Sequence, residues 1–465
     1  MNNKQLVEDW IESWADVRGN VNSIQDILNW VFTIRQRTYV SIREESMKKD
    51  DFWYYDDKNG KITNTKNSFF SIMGIRKYEN DNMVSEQPII CQPEIGYLGI
   101  ICKKINGKLN LLMQAKIEPG NVNCVQISPT IQATKSNFTQ VHGGKLPLYF
   151  EYFDKADDYH IIYDQIQSEQ SSRFLKKRNR NIIILVDEDV PVYENYMWMT
   201  LGQIKKLMRY DNLINMDTRT VISGIPLSGF HFEEKQLEKL KEYFRDKAFF
   251  ESIFSAETID DLPLVYHQIN DYKMFHNDIV EEIPLFELKK WKMDEKGLDC
   301  IEEADFCVKY YNISIEGREV NQWKQPLFKA LGNALFGLLI KRTDKGMKFL
   351  VRIRSEIGSF DKMELAPSIQ WEPTHKADND DVVENFFREK YANKQGIILD
   401  VFLSEEGGRF YQEQNHNIVL MVDDDELQEV PSDYIWVSYS TLNMLVQINN
   451  CLNIQLRNLL STFEL

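Results

Sequence analysis

The sequence predicts an α/β protein built from two copies of one unit, each led by helical material. Three observations support this. Some segments place apolar residues at three- and four-residue spacing, others are short β-prone runs. The two kinds alternate along the chain. The pattern of the first half then returns in the second at a nearly constant offset.

The first forty residues read as helical: "LVEDWIESWADV" and "SIQDILNWVFTIRQRTYV" both carry apolar stripes, with Ser23 as N-cap of the second. The polar stretch "YYDDKNGKITNTKNS" reads as a loop or exposed hairpin. In "LGIICKKINGKLNLLMQAKI" two β-prone runs flank Asn106-Gly107, a pair that tolerates the positive φ of a tight hairpin. "NIIILVD" reads as a buried strand, and "TLGQIKKLMRYDNLIN" as an amphipathic helix capped by Thr200. Between about 230 and 290 the pattern is charged and helical, as in a solvated connection. Strand patterns return after 300 with "LFGLLIKRTDKGMKFLVRIRSEIG" and "NIVLMVD".

That return is a repeat at an offset of 238 residues. It pairs Trp53 with Trp291, Gly99 with Gly337, Leu112 with Leu350, Glu118 with Glu356, Gly120 with Gly358, Gln132 with Gln370, Trp198 with Trp436 and Arg219 with Arg457. Small gaps shift the offset to 236 around Arg173-Phe174 and Arg409-Phe410. Two units follow, residues 1–228 and 229–465. The repeated glycines and prolines are expected at turns and bulges, and the repeated Trp198 and Trp436 in the core.

The net charge of −16 argues against a general nucleic-acid or anionic-membrane binder. The six scattered cysteines form no CxxC pair and point to reduced thiols in a cytoplasm. No run is long enough to span a bilayer. Motifs for dinucleotide binding, a P-loop, a nucleophile elbow or a zinc protease are missing, and no acidic cluster stands out as a metal cage.

The polar residues of the repeat are the candidates for chemistry, because burying them unpaired is costly. Strand alternation puts Gln114, Lys116 and Glu118 on one face, and Arg352, Arg354 and Glu356 on the matching face of the second copy. Each copy thus offers a cation and a carboxylate on one wall. His142 lies in a polar loop beside Gly143-Gly144, where an imidazole can exchange protons at cell pH and backbone can approach a ligand; an exposed histidine on a turn accounts for it equally well.

The long stretch "QPIICQPEIGYLGIICKKINGKLNLLMQAKIEPGNVNCVQISPTIQATKSNFTQVHGG" resembles the NDP-hexose 2,3-dehydratases of deoxysugar biosynthesis. The likeness continues through "SEQSSRFLKKRNRN", "MDTRTVISGIP", "WKQPLF", "SEIGSFDKMELAPSIQW" and "SEEGGRFYQEQNHN" and covers nearly the whole chain. Ser85 departs from it, standing where the family usually has Trp; the second copy keeps Trp323. The resemblance implies tandem Nudix-like units with mixed sheets flanked by helices (α+β), a homodimer, and no metal or other cofactor. It also implies a nucleotide-sugar substrate, usually dTDP-4-keto-6-deoxyglucose, whose 3,4-diketo-2,6-dideoxy product passes to a 3-ketoreductase. A non-catalytic sugar-nucleotide binder of the same fold is the alternative.

For that reaction His142 and Glu118 are the candidates for proton transfer and Lys116 for holding the enolate or diphosphate. Tyr149, Glu151 and Tyr152 stand as second choices. Gln114, Gln132, Lys135, Asn137, Arg173 and Arg219 are candidates for binding the diphosphate and nucleoside. Arg352, Arg354, Glu356 and Gln370 would line a second pocket, vestigial or itself the active one.

Overall fold

The computed structural model describes residues 3–49, 51–139, 146–255, 258–317 and 320–465. The leading helices are Asn3–Ala15 and Ile24–Arg37. Ser23 caps the second: its hydroxyl accepts from the Asp26 amide, and the Asp26 carboxylate accepts from the Ser23 amide. The first helix buries Leu6, Val7, Trp10, Ile11 and Trp14 against the large core.

The predicted hairpin forms between Gly96–Ile105 and Lys108–Ile117, with Asn106 and Gly107 at φ 49° and 84°. These strands centre a seven-stranded mixed sheet. Gly96–Ile105 pairs in parallel with Arg178–Leu185, which pairs antiparallel with His160–Ser168. Short strands Val125–Ser128, Ile131–Ala133 and Tyr196–Met199 complete it.

A second seven-stranded sheet, built on Leu335–Thr343 and Gly346–Arg354, repeats this register residue for residue. Leu98 faces Gln132 as Phe336 faces Gln370. Leu112 faces Trp198 as Leu350 faces Trp436. One continuous hydrophobic cluster joins the two sheets and the helices between them.

Two smaller sheets sit beside the large ones, and they exchange strands. Val40–Glu44, early in the chain, pairs antiparallel with Phe306–Ile315. Asp278–Ile283 pairs antiparallel with Ser71–Glu79. The stretch read as helical from 230 to 290 therefore ends in a strand, after helices Glu234–Lys241, Lys247–Ile253 and Thr258–Phe275. Six residues carry too little periodicity to declare themselves, and the edge they join lies about two hundred residues away in sequence.

The predicted helix from Thr200 is also shorter, Leu201–Leu207, still with Thr200 as its cap. The chain then turns through Asn212 at φ 56°, and Asn450 does the same at φ 55° in the second half. Asn tolerates this left-handed region better than most residues.

The repeated glycines Gly120 and Gly358 serve close approach rather than turns. Neither has positive φ. A Cβ on Gly120 would fall 1.5 Å from the Phe410 carbonyl oxygen, and one on Gly358 1.9 Å from that of Phe174. Each glycine lets a loop of one half lie against the other half. Gly120 N–H donates to Gly407 O at 2.7 Å, and Gly358 N–H to Ser171 O at 2.8 Å. No described helix is long and apolar enough to cross a membrane, and none of the six cysteines is in a disulfide.

Candidate active site

A cavity of about 860 Å³ opens against the first large sheet. Its floor is the strand Lys108–Ile117 and the residues just beyond it, where Gln114, Lys116 and Glu118 project together. A hydrogen-bonded chain holds this wall. Asn215 Nδ2 donates to Gln132 Oε1 at 3.3 Å, and Gln132 Nε2 donates to Glu118 Oε1 at 3.2 Å. The Lys116 ammonium lies 3.3 Å from the same carboxylate oxygen. Asn215 also caps the helix Met216–Ser223 by accepting from the Thr218 amide. Lys116, Glu118 and Gln132 are thus paired, and the helix start is tied to the sheet.

The second residue of that helix, Asp217, lines the cavity. It is 2% exposed, and its Oδ2 has no hydrogen-bond partner among the described residues. Burial pushes its carboxyl well above the ordinary range, and the negative charges of Glu169, Glu406 and Glu118 push the same way; Lys116 offsets part of this. Glu169, also buried, accepts from Asn179 Nδ2 at 2.6 Å. Burial raises the Glu169 carboxyl against the pull of Lys177. Burial lowers Lys177 to about 8, against Glu169 and Glu94.

The second half completes the cavity. Its loop 405–409 passes over Glu118, so that a Cβ on Gly407 would sit 3.0 Å from Glu118 Cβ. Glu406 and Arg409 line the cavity from this loop. Burial, reinforced by Glu118, raises the Glu406 carboxyl to about 7, while Arg409 opposes the shift. The Arg409 guanidinium sits 4.3 Å over the Phe70 ring and donates to Gln92 Oε1. Trp53 and Phe70, with ring centroids 4.5 Å apart, form an aromatic wall together with Phe69 and Phe52. Trp323, Lys324 and Gln325 from the second half also line the cavity.

The predicted residues divide accordingly. Gln114, Lys116, Glu118, Gln132 and Asn137 line this cavity. His142 lies outside the described residues, although Asn137 before it and Pro147-Leu148 after it belong to the cavity wall. Tyr149 and Tyr152 instead pack in the core beside the sheet. The Tyr149 hydroxyl donates to Pro191 O at 2.5 Å, and burial raises it to about 12. Glu151 and Lys135 are exposed and do not line the cavity.

Arg219 is buried as a clamp between halves, donating to Ile214 O at 2.6 Å and Ser404 O at 2.7 Å. Its counterpart Arg457 reaches back to Thr220 Oγ1 and Ser168 O. Arg173 crosses to the second sheet, where it pairs with Glu372 at 2.8 Å. Gln370 Nε2 there donates to Glu356 Oε1 at 2.7 Å and Asn453 Nδ2 to Gln370 Oε1 at 3.0 Å, matching the first chain of bonds. Coulombic attraction couples Arg354 to Glu356, whereas Arg352 turns to Asp433, Asp381 and Glu384.

The family model for NDP-hexose 2,3-dehydratase matches residues 24–225 and again 264–463. The chain belongs to that family. It is an NDP-sugar 2,3-dehydratase, a hydro-lyase. Three curated relatives each carry the name dTDP-4-dehydro-6-deoxy-alpha-D-glucopyranose 2,3-dehydratase. The one from Streptomyces violaceoruber is 34% identical, covering 88% of this chain and 90% of its own. That from Saccharopolyspora spinosa is 35% identical over 89% and 85%, and that from Amycolatopsis orientalis 32% over 94% and 89%.

Six charged residues of the site escaped sequence reasoning: Glu169, Lys177, Asp217, Lys324, Glu406 and Arg409. All lie inside the stretches that carry the family resemblance. The signal that exposes three of them is a difference between copies at matched positions. Asp217 stands opposite Gln455, Glu406 opposite Gln170, and Lys177 opposite Glu413.

Proposed function

We propose that the first-half cavity removes water across C2 and C3 of dTDP-4-keto-6-deoxyglucose, giving the 3,4-diketo-2,6-dideoxy sugar. The observation that carries this is the paired wall of Lys116, Glu118 and Gln132 facing a cavity of about 860 Å³. Its size suits a drug-sized ligand such as a sugar nucleotide. The aromatic wall offers a face for the base. Arg409, Lys324 and Lys177 offer cations for the diphosphate.

The C4 ketone acidifies the C3 proton, and Glu118, held by Gln132 and Lys116, is positioned as base. The Lys116 ammonium stabilises the enolate that forms at O4. His142 remains the second candidate for proton transfer, on the ground that its chain neighbours line the cavity. The sugar's ketone is the electron sink, so the residues need only move protons and hold charge.

The same account treats the chain as two Nudix-like repeats, residues 1–228 and 229–465, supported by the recurring strand register. It places the enzyme in the cytoplasm as a homodimer. Its reactive dicarbonyl product then passes to a 3-ketoreductase. Incubation with the keto sugar and such a reductase, followed by mass spectrometry, tests the function. Loss of one water is expected, with or without a chelator. An intact nucleotide sugar would reduce the protein to a binder, and a cleaved diphosphate would make it a hydrolase.

A further inference from the structure

We propose that Asp217 is the general acid that protonates the departing C2 hydroxyl. This rests on the proposed dehydration at the first-half cavity and assigns the step that the Lys116–Glu118 wall leaves open.

Three observations converge on this residue. Asp217 lines the cavity, is almost wholly buried, and keeps one carboxyl oxygen without a partner among the described residues. An unpaired buried carboxyl oxygen is costly unless something fills the place, and the leaving hydroxyl is a group of the right kind. Its surroundings also favour the protonated form: burial raises its carboxyl, the negative charges of Glu169, Glu406 and Glu118 push the same way, and Lys116 opposes them. A carboxyl group whose protonated form is favoured can donate a proton to a leaving group. Finally, the matched position in the second half is Gln455, whose amide can hydrogen-bond but cannot give up a proton to a leaving group. Gln455 is buried to the same degree, and both its side-chain polar atoms lack partners. The two halves therefore keep the same polar position and differ in whether it is an acid.

The step balances. Glu118 takes the C3 proton, and the C–H pair becomes the C3–C4 double bond of the enolate. That pair then moves to form the C2–C3 double bond as the C2–O bond breaks, and the Asp217 proton joins the leaving hydroxide as water. The resulting 3-hydroxy enone tautomerises. Protonated Glu118 returns its proton to C2, and the Asp217 carboxylate takes the proton of the C3 enol. Both side chains end as they began, and no oxidant or reductant enters.

The test uses the full chain with Asp217→Asn, which keeps size and polarity, and Asp217→Glu, which keeps the acid. Three readouts are taken in deuterium oxide: water loss from the keto sugar, deuterium uptake at C3, and nucleotide-sugar affinity. The expected result for Asp217→Asn is a fall in kcat of about 100-fold or more, with affinity within about threefold. Deuterium uptake at C3 is retained, since the base is intact. The high-pH limb of the wild-type kcat profile disappears with the acid. Asp217→Glu recovers part of kcat.

Unchanged kcat in Asp217→Asn would overturn the proposal. So would loss of deuterium uptake together with water loss while binding persists, because Asp217 would then serve proton abstraction. Failure of the wild-type chain to release water would instead overturn the dehydratase account of the cavity, which keeps the two failures apart.

Discussion

The two large sheets carry the same frame and use it differently. In both, an Asn at a helix start bonds a Gln, which bonds a Glu next to a cation. In the first half the residues after that Gln are Ala133 and Thr134, and a cavity lies above them. In the second they are Trp371 and Glu372. The Trp371 indole packs 5.6 Å from the Phe387 ring and 5.5 Å from His375. Glu372 holds Arg173. Burial works against the charge on Arg173, but Glu372, Glu413 and Asp305 keep it protonated. The frame borders a cavity in the first half, and at the matched positions of the second it carries the bulk of Trp371 and the ion pair of Glu372. Pairing a buried charge and leaving it open for a substrate are alternative uses of one position.

Three changes probe this contrast. The largest effect is expected from Ala133→Trp, which places in the first cavity the bulk that Trp371 brings to the second. The keto-sugar kcat/KM should fall about 100-fold or more, and overpacking the core cluster that Ala133 also joins should cost about 1–3 kcal/mol of stability. A smaller effect is expected from Glu372→Gln. Removing this carboxylate leaves a buried guanidinium short of its closest partner, which costs about 3 kcal/mol; Glu413 and Asp305 soften the loss. Chemical denaturation should show that loss, while kcat per folded molecule stays within about twofold.

The smallest effect concerns pH. Burial raises Glu364 and Glu405 to about 8 and Glu413 to about 7, against 4.5 for an ordinary Glu. The folded chain thus holds protons that the unfolded chain releases above about pH 4.5. The contribution of these groups to stability is fully present below that value and is lost as pH rises toward 8. The Tm should fall by several degrees between pH 5 and pH 8, and Glu405→Gln should flatten the slope.

Much of the fold was legible because its signals are local. Ser23, Thr200 and Asn106-Gly107 each act through their own neighbours. The recurring register was legible because Leu112, Gln132 and Trp198 recur at one offset. The exchange of Val40–Glu44 and Asp278–Ile283 between small sheets was hidden, since a short strand does not name its partner. The site was half legible for a related reason. Matching residues such as Glu118 and Gln132 pointed to the shared frame. Glu406 and Arg409 reach the first cavity from the second half, a crossing that only the packing of Gly120 against Phe410 O reveals. Arg173 and Arg219 look like phosphate ligands by type, yet each is consumed in holding the halves together.

The most direct test of the whole account compares matched substitutions in the two halves. Glu118→Gln and Glu356→Gln alter the same position of the same frame. Turnover of dTDP-4-keto-6-deoxyglucose, followed by mass spectrometry with a 3-ketoreductase present, should fall about 100-fold or more in Glu118→Gln and stay within about threefold in Glu356→Gln. Turnover lost in Glu356→Gln and kept in Glu118→Gln would place the chemistry in the second half and contradict the account.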